Sequence, residues 1–179
     1  LLSVESTLQT KRCSQRCHCA GKKSPEMSES GIRLAVIMER KILANKWADF
    51  QWEAIGVIPD RGQDVVPRRI YEDGQREQWL HAGFYVELFT DEAEFYYANI
   101  TSPEPRVFIL WRFEEVMAKP ALATVSYGVA ARMMDAGEQV DGVPMPAEIC
   151  DWVAGFVNRH YKPEENKKGG RYASSRLKP

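Results

Sequence analysis

The chain is poor in the features from which a function is usually read. Only three histidines occur in 179 residues, and His18 lies in a polar stretch, so acid–base work by histidine would fall to His81 or His160. His81 follows Trp79-Leu80 near an expected strand, and His160 closes the last expected helix, where a cation suits the C-terminal end of the dipole. No P-loop, G-x-G-x-x-G fingerprint, H-E-x-x-H or G-x-S-x-G elbow is present, so the common nucleotide and hydrolase chemistries lose their support. No run approaches the roughly 18 apolar residues of a membrane span, and the N-terminal stretch has no apolar signal core. With 24 basic and 25 acidic residues the net charge is −1, so no global field draws the chain to nucleic acid or to an acidic membrane. Three of the four cysteines (Cys13, Cys17 and Cys19) crowd into the first twenty residues, which excludes a disulfide framework for a domain further on. A reduced, cytoplasmic setting is the expectation.

What is present is the composition of one globular domain, 44% hydrophobic and 11% aromatic. A domain of about 130 residues buries roughly two thirds of its unfolded surface, enough for one core. Residues 1–30 are too polar to offset the entropy of ordering and are expected to form a disordered leader. Met27-Ser28 is a plausible start of the native chain, which would make the preceding stretch incidental. Cys13, Cys17, His18 and Cys19 could in principle hold a metal, but no second ligand pair accompanies them and no metal or cofactor site is assigned. Residues 31–161 carry the domain pattern, and 162–179 form a basic, flexible tail with little aromatic content for nucleic-acid binding.

Within the domain, Ile32, Leu34, Val36 and Met38 alternate with Arg33, Ala35, Ile37 and Glu39, the period of a strand. A second strand alternates from Phe50 to Val57 until Pro59-Asp60-Arg61-Gly62 breaks it, a short one covers Arg69 to Tyr71, and others are expected at Phe84–Phe89 and, after an acidic turn, at Phe95–Ile100. Val107 to Trp111 is apolar on both faces, as a central strand covered above and below would be, and Ala121–Val125 adds one more. Ser126 is a good N-cap for a helix over 127–136 that stops at Gly137. Ile149, Trp152, Val153, Phe156 and Val157 make an apolar helical stripe behind Pro146. The expectation is an α+β fold: a mainly antiparallel sheet of about six strands, with barrel-like closure an option, covered by two C-terminal helices.

No catalytic set assembles from these residues. Cys150 beside Ile149 reads as a packed thiol. Two stretches offer surfaces for a protein partner: Trp47, Asp49, Trp52 and Glu53 at a turn and strand start, and Tyr127, Arg132, Asp135 and Glu138 on or beyond a short helix. Core packing for the first and a solvated helix face for the second are the competing readings. A third possibility is an enzyme using Asp49, Glu53 or His81, which requires two of these groups within hydrogen-bond reach.

A set of short motifs adds to this. They are Val36–Arg40 (VIMER), Trp47-x-Asp49-x-x-Trp52-Glu53-x-x-Gly56-Val57-x-Pro59, Asp91-Glu92-Ala93-Glu94 with Tyr97 and Asn99, and Ser102-Pro103-Glu104-Pro105. Further on come Trp111-Arg112, Ser126-Tyr127, Ala130-Ala131-Arg132-x-x-Asp135-Ala136-Gly137-Glu138-x-Val140, and Val143-Pro144-Met145-Pro146. In these the chain resembles an uncharacterised family of small proteobacterial proteins whose genes commonly lie beside those of formate dehydrogenase, over about 32–163. The resemblance supplies no activity and no catalytic residues. It implies a non-enzymatic accessory protein that binds a formate dehydrogenase or its maturation machinery, as assembly factor or small subunit. A small-molecule or metal-binding regulatory domain is the alternative. Val129 departs from the pattern, which has an acid there; its absence removes a capping-box partner for Ser126 and weakens the expected helix start.

Overall fold

A computed structural model describes residues 31–44, 49–60, 62 and 66–162. The cysteine-bearing leader, Trp47 and the basic segment 163–179 lie outside the described residues. Seven strands and three α-helices follow in the order β1 (Gly31–Ile42), β2 (Phe50–Pro59), β3 (Arg68–Glu72), β4 (Arg76–Glu87), α1 (Ala93–Ile100), β5 (Arg106–Glu114), β6 (Met117–Thr124), α2 (Tyr127–Asp135), β7 (Gln139–Pro144) and α3 (Ala147–His160). All ladders are antiparallel. The fold is α+β, as the alternating strands and the helical stripe imply.

The strands form two sheets, ordered β2-β1-β4-β3 and β6-β5-β7. Among the described residues no ladder joins one sheet to the other, so the barrel-like closure that the sequence left open is not made there. The two expected C-terminal helices are α2 and α3, and a further helix is described because the segment expected as a strand over 95–100 is α1. The competition is physical. Ala93, Tyr96 and Asn99 fall at i, i+3 and i+6 and are all buried, and Asp91 and Glu92 precede the helix where its dipole favours acids. Tyr96 then meets Phe156 of α3 edge-on at 6.0 Å, a contact that alternation along a strand would not supply. The seventh strand, β7, lies over QVDGVP, to which the sequence pattern assigns no element; pairing with β5 overrides the low strand propensity of its Asp, Gly and Pro. β4 likewise begins at Arg76, well before the apolar run at Phe84.

One core joins both sheets and the helices. Leu34, Val36 and Met38 of β1, Val107 and Ile109 of β5, and Ile149 and Val153 of α3 are almost fully buried. Each such side chain contributes about 1.5–3 kcal/mol. The central place expected for Val107–Trp111 holds, since β5 lies between β6 and β7. Asn99, with no exposure, closes the end of α1: its amide donates to the carbonyls of Arg106 and Val125 at 2.7 and 2.8 Å, and its oxygen accepts from Arg106 N at 2.9 Å.

Register sets which side chains share a face. Val36 pairs with Val57 and His81, Met38 with Ala54 and Trp79, and Arg40 with Trp52 and Glu77. Bulges keep this set aligned: Ile55 is skipped in β2, and β4 takes an extra residue near Gly83, whose φ of 93° suits glycine.

Candidate functional site

The inner face of the four-stranded sheet runs out past the second sheet and leaves a groove of about 320 Å³. Phe50 and Trp52 of β2, Arg40 of β1, and Glu77 and Trp79 of β4 form one wall; Val116 and Met117, at the β5–β6 turn, form the other. The turn is tight, with Glu115 at φ 58°, and it holds Val116 out at 80% exposure. Ile42, 56% exposed, is the cross-strand partner of Phe50. Arg40 and Glu77 also line a smaller hollow of about 60 Å³ towards the β3–β4 turn.

The polar groups of the groove are loosely held. Arg40 Nη1 donates to Glu77 Oε1 at 3.4 Å, and its guanidinium lies 4.6 Å from the centre of the Phe50 ring. Trp79 Nε1 reaches the other oxygen of Glu77, also at 3.4 Å. Trp52 is 5% exposed and its Nε1–H has no acceptor. A second buried indole is treated differently. Trp111 Nε1 donates to Asp141 Oδ2 at 2.7 Å, and the same oxygen accepts from Ala54 N at 2.7 Å, tying the edge strand β2 to β7.

The residues singled out from sequence divide accordingly. Trp52 is both core and groove wall. Asp49 is exposed and Glu53 half-buried. Glu53 lies on the opposite face, where it and Glu39 share Lys41, Glu39 being 3.2 Å away, while Gln78 donates to Glu39 at 2.7 Å. These two carboxylates raise the Lys41 pKa, the Glu53 hydrogen bond most. Glu53 therefore does not meet His81, which is paired with Val36 on the inner face and whose Nε2 has no hydrogen-bond partner. Burial, with the nearby Lys119 charge, pushes the His81 pKa below its ordinary value.

The helix candidates are engaged with other motif residues. Tyr127 packs on Phe108 at 5.1 Å between ring centres. Arg132 donates to Glu92 Oε1 at 2.6 Å, and Glu138 takes both Nε and Nη2 of Arg112; Asp135 is exposed. The cap at Ser126 forms despite Val129: Ser126 Oγ accepts from Val129 N at 3.1 Å and donates to Glu92 Oε2 at 2.5 Å. The Ser126 N–H that a local capping box would take donates instead to Thr124 Oγ1 at 3.2 Å, and Glu92, thirty-four positions upstream, accepts the Ser126 hydroxyl, which corrects the expected weakness of this helix start. Burial pushes the Glu92 carboxyl up, but the Ser126 hydrogen bond and Arg132 outweigh it and hold it below the usual range. Burial raises the Cys150 thiol, in keeping with a packed cysteine.

Glu77, Trp79, Val116 and Met117 of the groove were not found from sequence. Only Arg40, Phe50 and Trp52 stood in stretches with a signal, and what joins them to the rest is sheet register. Among the described residues no group of three or more His, Cys, Asp or Glu could hold a metal ion, and no helix is long and apolar enough to cross a membrane.

Comparison with curated proteins finds no match. Comparison with solved structures finds none either. The family model described as "Protein of unknown function (DUF3305)" matches residues 33–169, a span that covers both sheets, the groove and all three helices, and the chain belongs to that family.

Proposed function

We propose that this protein is a non-enzymatic accessory factor of the cytoplasm that binds a formate dehydrogenase or its maturation machinery, as an assembly factor or small subunit. The resemblance to proteobacterial proteins encoded beside formate dehydrogenase genes supports the choice of partner; it is an associational warrant and names no chemistry. The observation that carries the reading is the groove, an aromatic and methionine-lined cleft with an exposed valine at its lip. Aromatic residues, Met and Arg are the types enriched where one protein anchors another. The other candidate surface, on α2, is occupied by its own ion pairs and offers less.

Affinity purification at native expression tests this. A dehydrogenase component should accompany the chain; recovery without one, while the enzyme is being made, would overturn the proposal. A second reading, a small-molecule regulatory domain, is favoured by one feature only: the groove volume reaches the lower end of ligand pockets, about 300–1,000 Å³. Melting shifts report on it, since a ligand at about 100 times its dissociation constant adds about 2.7 kcal/mol.

A further inference from the structure

One hydrogen-bond donor of the groove has no acceptor among the described residues. Two donors, Arg40 Nη1–H and Trp79 Nε1–H, share the single carboxylate of Glu77 at 3.4 Å each, and the third, Trp52 Nε1–H, has none. A buried donor left without a partner is costly, and such groups call for an explanation in a native protein. The imbalance is one of hydrogen bonds rather than charge, because Arg40 and Glu77 neutralise each other. Once Arg40 moves aside, Glu77 is left without its counter-charge and opposes an incoming carboxylate but not a neutral carbonyl. The volume, about 320 Å³, is small for a cofactor, and the exposed Val116 continues the apolar wall outward.

We infer that the groove receives an extended segment of a partner protein that inserts one large apolar side chain and presents a backbone carbonyl to Trp52 Nε1–H. This rests on the partner-binding reading above and adds to it the chemistry of the bound segment. Trp52 Nε1 has no access to solvent, so the carbonyl reaches it through movement of a neighbour. Arg40 is the side chain suited to yield. It is the cross-strand partner of Trp52, 31% of its side chain is exposed, and among the described residues it is held by the long Glu77 contact and the Phe50 ring. Its withdrawal would free Glu77 for Trp79 alone.

The test uses the full chain and three probes: N-acetyl-phenylalanine amide, N-acetyl-phenylalanine and toluene. The indole N–H signals are followed by proton–nitrogen NMR and assigned with Trp52→Phe. The amide should move the Trp52 N–H signal downfield with a dissociation constant on the order of millimolar, as a ligand of this size permits. The carboxylate, opposed by Glu77, should bind about tenfold more weakly, and toluene should leave the N–H signal in place. Val116→Arg, at a position exposed enough to spare the fold, should weaken the amide about tenfold. An unmoved Trp52 N–H at saturation, or equal binding of toluene and amide, overturns the inference. The two proposals fail separately. If Val116→Arg still purifies with a dehydrogenase component as well as the parent does, the groove assignment falls and the partner stands. If the amide binds as described and no such component is recovered, the reverse holds.

Discussion

Trp52 and Trp111 are both buried indoles on the inner faces of their sheets, 5% and 6% exposed, and only one of them is satisfied. Around Trp111 the polar groups close on each other, with one carboxylate oxygen of Asp141 serving an indole and a backbone N–H from a different sheet. Around Trp52 a shared carboxylate is stretched between two donors and a third is left over. The first arrangement is what a seam needs, since the edge of β2 would otherwise offer an unpaired N–H. The second is unfavourable for the free protein, and the proposed partner segment rests on it.

The largest test of the difference is Asp141→Ala, which strands two buried donors. It should cost about 2–6 kcal/mol in denaturant unfolding, at about 1–3 kcal/mol for each orphaned group. A loss below about 1 kcal/mol would mean that the seam does not depend on this carboxylate. Next comes the pair Trp111→Phe and Trp52→Phe. Both remove similar ring volume, so the cavity cost largely cancels. Trp111→Phe should be the more damaging by about 1–2 kcal/mol, because it alone breaks a hydrogen bond to a charged group. Equal losses would erase the distinction between the two indoles.

The third test is acid. An unfolded histidine titrates near 6.5, and the folded His81 titrates lower because burial disfavours its charged form. Above pH 6.5 both states are neutral and no penalty arises. As pH falls below that value the unfolded chain binds a proton that the fold resists, so stability declines, by at most about 1.4 kcal/mol per pH unit from this group. His81→Phe should flatten that decline between about pH 6.5 and 5; an unchanged profile would place the titrating group elsewhere. Glu92, whose carboxyl is held low, loses its contribution at more acidic pH, as the medium falls below the ordinary carboxylate value near 4.5. The smallest effect is at the β3–β4 turn, away from both indoles. Hydrogen bonds from Gln75 N and Arg76 N, with Tyr71 and Arg76 side chains adding, lower the Asp73 pKa to about 2. Titration by NMR should show this, and an ordinary carboxylate midpoint would mean the turn is open in solution.

Several motif residues meet one another within the fold. Arg112 meets Glu138, and Arg132 and Ser126 meet Glu92, so residues that looked like recognition surface on α2 are employed in holding it. Trp52 was legible as a residue of interest and as a core residue, and it is both. Its role in a groove was not legible, because Trp79, Glu77, Val116 and Met117 reach it only through cross-strand register and a turn from the second sheet. Phe95–Ile100 shows the limit most clearly: a short aromatic run fits a strand or a helix, and packing of Tyr96 on Phe156 decides between them.

By itself the sequence determined the α+β class, most strand positions, the central place of Val107–Trp111 and the C-terminal helices, since period-two and helical apolar patterns are local and leave little choice. The division into two sheets, the helix at 93–100, the strand at 139–144 and the cap of Ser126 by a distant acid were decided only in tertiary structure. Each depends on a partner far along the chain, and a local pattern carries no record of which distant group will complete a hydrogen bond or bury a ring.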